Sequence, residues 1–247
     1  ADIILGGAIV LEQVVAELGI EELVISGNAL REGALLDAAS RRQGATLHHL
    51  RDLRRRSVLH LAEAMDDDPE HSACAAGLAL DLFDGLHPWH GMGDDSRELL
   101  EASALLANVG LFVSHSEHHK HSYYLIRHSD RLAGFTDHEI EMIALVARYH
   151  RKSAPKAKHV EFARLRPDDQ ERVRALAGIL RVAIALDRSH DGRVGKVQVT
   201  SDNGSGALRV AVVASGGQDL ALELETAGER KGLLEDVLGH RVDLVEP

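Results

Sequence analysis

A chain of 247 residues with 45% hydrophobic content suits one large domain or two smaller ones and can bury a substantial core, which excludes wholesale disorder. With 28 Lys and Arg against 39 Asp and Glu, the net charge of −11 argues against a general nucleic-acid binder. A lone cysteine, Cys74, excludes an internal disulfide, no segment approaches the roughly 20 apolar residues of a membrane span, and the opening lacks a basic signal region, so the expected location is cytoplasmic.

The spacing of Ile4, Ala8, Leu11, Val15 and Leu18 predicts a helix over residues 2–18. Leu23-Val24-Ile25-Ser26 predicts a short strand, Gly27-Asn28 a turn, and residues 29–39 a second helix. One strand and two helices cannot cover both faces of a sheet, so residues 1–40 read as the end of a larger α/β domain. Residues 41–53 are polar and read as a linker.

From 54 to 190 the pattern is helical almost throughout. The stripe Val58, Leu61, Ala62, Met65 stops at Asp66-Asp67-Asp68, and Pro69 suits the first turn of a helix carrying Leu78, Leu82 and Phe83. His87-Pro88-Trp89-His90-Gly91 reads as a loop. Further helices are predicted over 96–109, 121–129, 136–149 and 167–186, with Thr136 and Glu139 at capping-box spacing. Beyond Asp191 the period changes to two. Strands are predicted over 194–200, 208–213 and 220–225, with Asn203-Gly204 as a hairpin turn between the first two. A helix over 229–238 and a last strand over 241–245 complete a small α+β unit, 191–247.

Charge is unevenly spread. Residues 111–166 hold 10 Lys and Arg and 6 Asp and Glu, a net of 10 − 6 = +4, together with eight of the 16 histidines. Within that window His115, His118, His119, Lys120 and His121 form one string, and Arg148-Tyr149-His150-Arg151-Lys152 with Lys156 forms a second basic run. Three readings compete for the histidine string. A metal site would have the right ligand type, but its only local carboxylate is Glu117, and a two-metal phosphohydrolase site wants more. An anion site would exploit imidazoles driven towards their protonated form at a helix N-terminus, with the second run completing a groove for a polyanion. Solvated polar loops are the third; the absence of compensating acids in an acidic chain counts against them. Arg54-Arg55-Arg56 at a predicted helix start faces either an anion, another domain or solvent. No P-loop, nucleophile elbow, dinucleotide fingerprint or HExxH motif occurs.

Val109-Gly110-Leu111-Phe112-Val113-Ser114-His115-Ser116 and His118-His119-Lys120-His121-Ser122-Tyr123-Tyr124-Leu125-Ile126-Arg127 resemble the signature of the helical domain in the exopolyphosphatase / guanosine pentaphosphate phosphohydrolase (Ppx/GppA) family. Residues 29–37, Arg56-Ser57-Val58, 147–152 and 186–189 fall in the family's order. Gly6-Gly7-Ala8 resembles its adenosine motif. The resemblance implies two actin-like domains in an intact member, carrying the phosphate-binding loops, the catalytic carboxylate and Mg²⁺. Such a member hydrolyses the terminal phosphate of inorganic polyphosphate or the 5′ γ-phosphate of guanosine pentaphosphate.

The implied fold is a mostly α, HD-like helical bundle (54–190) followed by a small α+β unit, after an N-terminal remnant of an actin-like (ASKHA) domain. The chain is expected to be the C-terminal part of a longer protein. The paired His-Asp of a working HD site would fall at Ala107-Asn108 and its late Asp near Ile184, leaving His71 as one matching ligand. The implied role is therefore non-catalytic: gripping polyphosphate or guanosine pentaphosphate through His115, His118, His119, Lys120, His121, Arg148, His150, Arg151, Lys152 and Lys156, and forming a homodimer. The alternative is an independent HD-type, metal-dependent phosphohydrolase acting on nucleotides.

Overall fold

Helical periodicity and capping chemistry place most elements of the computed structural model, which describes residues 2–20, 48–201 and 206–247. The strand at 23–26, the turn at 27–28, the helix at 29–39 and the hairpin turn at 203–204 lie outside the described residues. The chain divides into two units, 1–44 and 45–247. In the first, α1 spans Asp2–Leu18, the predicted bounds.

The second unit opens with α2 (His48–Met65), which begins inside the stretch expected as a linker. Its first turns are polar, and what orders them is tertiary: Arg51 and Arg55 reach Asp94 and Glu101 at 2.9 and 2.8 Å. Of the Arg54-Arg55-Arg56 cluster, Arg54 and Arg55 meet acids of neighbouring helices, whereas Arg56 donates to the Asp52 carbonyl within α2. Arg54 lies over the Phe135 ring and contacts Glu139 at 2.5 Å, and its Nε is 3.1 Å from Glu98 without hydrogen-bond alignment.

Asp68 caps α3 (Pro69–His90) by accepting the His71 N–H, with Pro69 in the first turn as predicted. The expected loop at 87–91 is instead the last turn of α3. Pro88 so near the end forfeits one helical bond, His90 folds back to donate to the Phe83 carbonyl at 2.8 Å, and Gly91 closes the helix at φ 61°, a conformation open to glycine.

α4 (Asp94–Leu105) stops short of the predicted 109 and gives way to a 3₁₀ turn, Val109–Phe112. The cause is Ser122. Its hydroxyl donates to the Ala107 carbonyl at 2.7 Å and accepts the Gly110 N–H at 3.0 Å, drawing both away from helical partners. α5 (His118–Arg127) starts three residues early because Glu117, at φ 53°, turns the chain into it. The capping box of Thr136 and Glu139 opens α6 (Asp137–Arg148). After a short α7 (Val160–Ala163), α8 (Pro167–Ala185) runs through the middle of the unit, with Leu176, Leu180, Val182 and Ala183 fully buried between α3, α6 and the C-terminal helices.

β1 (Val194–Ser201) pairs antiparallel with β2 (Leu208–Ala214), and β3 (Val242–Val245) pairs parallel with β2, in the order β1-β2-β3. The strand expected at 220–225 is helix α9 (Ala221–Arg230), followed by α10 (Gly232–Leu238). The alternating leucines misled; the buried set is Leu220, Glu223 and Ala227, which is helical spacing. Glu223 hides that face from a hydropathy pattern, and its carboxylate is held by the Ser189 hydroxyl at 2.6 Å. The fold is therefore mostly helical with a small α+β unit, packed on one shared core. Among the described residues no helix is long and apolar enough to cross a membrane.

Candidate functional site

The close fit of the 3₁₀ turn beneath α5 fixes the site. A Cβ on Gly110 would lie 2.1 Å from the His118 carbonyl oxygen and 2.4 Å from the Ser122 nitrogen, so only glycine lets the turn reach the first turn of α5. That turn packs beside the end of α6, and the two basic runs meet there. His115, Glu117, His119, Lys120, Arg148, Arg151, Lys152 and His159 line a groove of about 640 Å³. His118 and His150 stand behind Arg151, on a neighbouring cavity. His121 is half-buried, and neither it nor Lys156 lines the groove; the Lys156 N–H instead approaches His159 Nδ1 at 3.3 Å.

The imidazoles stand in direct contact. His150 Nδ1 lies 2.6 Å from the Ala147 carbonyl and so carries the proton, leaving Nε2 as acceptor. His118 Nε2 lies 3.3 Å from it, with the rings stacked at 5.3 Å, and Arg151 Nη1 lies 3.1 Å from His118 Nδ1 and 3.3 Å from its Nε2. Burial pushes the His150 pKa down to about 3 and that of His119 to about 4, and burial followed by the Arg151 charge lowers that of His118. These three imidazoles are therefore neutral at neutral pH until an anion approaches. His119, 8% exposed, keeps a buried Nδ1 with no hydrogen-bond partner.

The positive charge of the groove resides in Lys120, Arg148, Arg151 and Lys152. Contrary to the view that compensating acids are absent, Lys120 pairs with Glu117 at 2.6 Å and Arg148 with Glu161 at 3.1 Å. Lys120 is exposed, where such a pair contributes little and is readily exchanged. Arg151 and Lys152 have no carboxylate partner among the described residues. Lys152 is held at φ 58°, its carbonyl gripped by Arg181 at 2.6 Å while the same guanidinium holds the Tyr149 carbonyl at 2.7 Å. Sequence reasoning missed Arg181 because an arginine within an apolar helix gives no signal of its partner. His159 could have been found, since it ends the basic run.

The residue that meets His71 is Asp187, three residues beyond Ile184. Among the described residues, no group of three or more His, Cys, Asp or Glu is placed to hold a metal ion.

The family model described as Ppx/GppA phosphatase, domain III, matches residues 53–226, well over half of the chain. The chain belongs to the Ppx/GppA phosphatase family. Three similar curated proteins are named guanosine-5'-triphosphate,3'-diphosphate pyrophosphatase. The one from Pseudoalteromonas translucida is 28% identical over 155 residues, covering 62% of this chain and 30% of that protein. The one from Photobacterium profundum is 30% identical over 146 residues, covering 59% and 28%. The one from Pseudoalteromonas atlantica is 27% identical over 182 residues, covering 73% and 34%. The match thus spans about a third of the length of these relatives. The Ppx/GppA match includes α5, the end of α6 and the whole groove between them.

Proposed function

We propose that this Ppx/GppA domain is the substrate-gripping region of a phosphoanhydride hydrolase, and that the groove between α5 and α6 holds the phosphates of inorganic polyphosphate or guanosine pentaphosphate. The observation that carries the reading is the convergence of Lys120, Arg148, Arg151 and Lys152 on one groove in a chain of net charge −11. Guanidinium and ammonium groups around an open trough suit a flexible polyanion, with neutral imidazoles available to accept protons as anionic oxygens approach. The reading assigns the catalytic carboxylate and Mg²⁺ to actin-like domains beyond this chain, of which residues 1–40 would be the last part. A homodimer belongs to the same reading, supported by Phe112 and Val113, which stand exposed beside the groove-bearing turn.

Binding of long-chain polyphosphate to the chain, followed by isothermal calorimetry from 50 to 300 mM salt, tests it. We expect affinity to fall steeply with salt, no release of phosphate, and loss of binding in Lys120→Glu with Lys152→Glu. Binding that is absent at low salt, or indifferent to that pair of substitutions, would refute the groove.

A further inference from the structure

Behind Arg151 lies a second cavity, of about 250 Å³. Arg151, Arg181, Arg188 and Arg230 converge on it from the end of α6, from α8, from the turn after α8 and from the end of α9. No Asp or Glu lines it. Arg188 and Arg230 make no side-chain hydrogen bond or ion pair among the described residues, and the Asn108 amide, in a residue only 8% exposed, makes none either. The contrast with the cavity beside α2 is direct. There Arg51, Arg55 and Arg97 each meet a carboxylate, of Asp94, Glu101 and Asp84 respectively. In a chain with 39 acidic and 28 basic residues, pairing is the easy outcome. Arg181 is held there by the Tyr149 and Lys152 carbonyls and Arg151 by His118, while Arg188 and Arg230 stand exposed at the rim, so four like charges share one cavity with no acid in its wall.

We propose that this cavity is an anion site for a compact phosphoanhydride of pyrophosphate size. Planar guanidiniums present paired N–H donors that match phosphate oxygens two at a time, and four of them suit an ion carrying several charges. The volume of about 250 Å³ accommodates a diphosphate. The mutual effect of the arginines is visible in their acidity: burial and the charges of Arg230 and Arg188 lower the Arg151 pKa, and burial with Arg230 lowers that of Arg181. A bound polyanion removes that conflict. Because Arg151 lines both cavities, the diphosphate can be a separate ion or the end of a longer chain lying in the groove; the site stands whether or not the groove holds such a chain.

Calorimetric titration of the full chain with pyrophosphate, without metal, at low ionic strength is the test, with orthophosphate, sulfate and long-chain polyphosphate as further arms. Pyrophosphate is expected to bind better than orthophosphate or sulfate at matched ionic strength. Arg188→Gln with Arg230→Gln should weaken it by about tenfold or more, while the thermal midpoint holds or rises because repulsion is relieved. A separate ion predicts that this variant leaves polyphosphate affinity unchanged; a chain end predicts that it falls in parallel. Absence of pyrophosphate binding, equal binding of sulfate, or an affinity untouched by the double substitution overturns the proposal. Lys120→Glu with Lys152→Glu should leave pyrophosphate bound, which keeps failure of the groove distinct from failure of this cavity.

Discussion

His71 and Asp187, 116 residues apart in sequence, meet in the interior: His71 Nδ1 lies 2.7 Å from Asp187 Oδ2, with the two side chains 2% and 1% exposed. The contact ties the first turn of α3 to the end of α8. The other carboxylate oxygen accepts the Gly192 N–H at 3.0 Å, at the turn leading into β1. His190 stacks on His71 at 3.7 Å and reaches Asp68, the cap of α3, at 2.7 Å. One buried carboxylate therefore fastens the helical bundle to the α+β unit.

Asp187→Ala should consequently cost about 3 kcal/mol, since it strands a buried ring nitrogen and a backbone N–H together. Urea unfolding followed by circular dichroism gives the number. Asp187→Asn, which keeps one acceptor, should cost clearly less. A loss below about 1 kcal/mol for the alanine variant would mean that water replaces the carboxylate and the fastening is unimportant.

Gly110→Ala tests the seat of α5. The new methyl would meet backbone at 2.1 and 2.4 Å, atoms that cannot swing aside as a side chain can. Overpacking of that kind costs about 3 kcal/mol, and relief comes only by pulling the 3₁₀ turn away from Ser122. Weaker polyphosphate binding should accompany the lost stability. An unchanged urea midpoint would show that the turn is not fixed by this contact.

What could be read beforehand was local. Thr136 with Glu139, and Pro69 in a first turn, mark helix starts by their own chemistry, and the structure places both there. The two basic runs were legible because each sits at a helix end, and adjacent helices bring such ends together. What resisted reading was long-range. Glu223 breaks the apolar face of α9 in sequence yet is fully buried, one carboxylate oxygen held by the N–H and hydroxyl of Ser189, 34 residues away, and the other without a hydrogen-bond partner among the described residues. The neutral state of His118, His119 and His150 depends on burial that no local pattern states. Arg188 and Arg230 look like ordinary surface arginines until α8 and α9 bring them to one cavity.

Lys152 separates stability from binding. It holds φ 58° with a side chain, a conformation that disfavours non-glycine residues by about 1 kcal/mol, and its structural contact to Arg181 is made by its carbonyl. Lys152→Gly therefore keeps the contact, relieves the backbone and removes a groove charge. The urea midpoint should hold or rise while polyphosphate affinity falls several-fold. If both quantities fall together, the side chain has a structural role that this geometry does not contain.

The pH dependence of stability follows from the neutral imidazoles. His150 and His119 have folded pKa values pushed down to about 3 and about 4, against 6.5 for an unperturbed histidine. Above 6.5 neither state binds the proton and the shifts contribute nothing. As pH falls below 6.5 the unfolded chain takes up protons that the folded chain refuses, so stability declines by about 1.4 kcal/mol per pH unit for each such group. The decline from His119 ends near pH 4 and that from His150 near pH 3. Urea titrations at pH 6.5, 5.75 and 5 lie above the usual carboxylate range, where His118, whose pKa is lowered by burial and Arg151, adds to the same decline. His119→Leu removes one of these protons and discards a buried nitrogen that has no partner, so it should flatten the slope by about 1.4 kcal/mol per pH unit at little cost near neutrality. An unaltered slope would place the His119 proton in both states alike and contradict the burial that defines this wall of the groove.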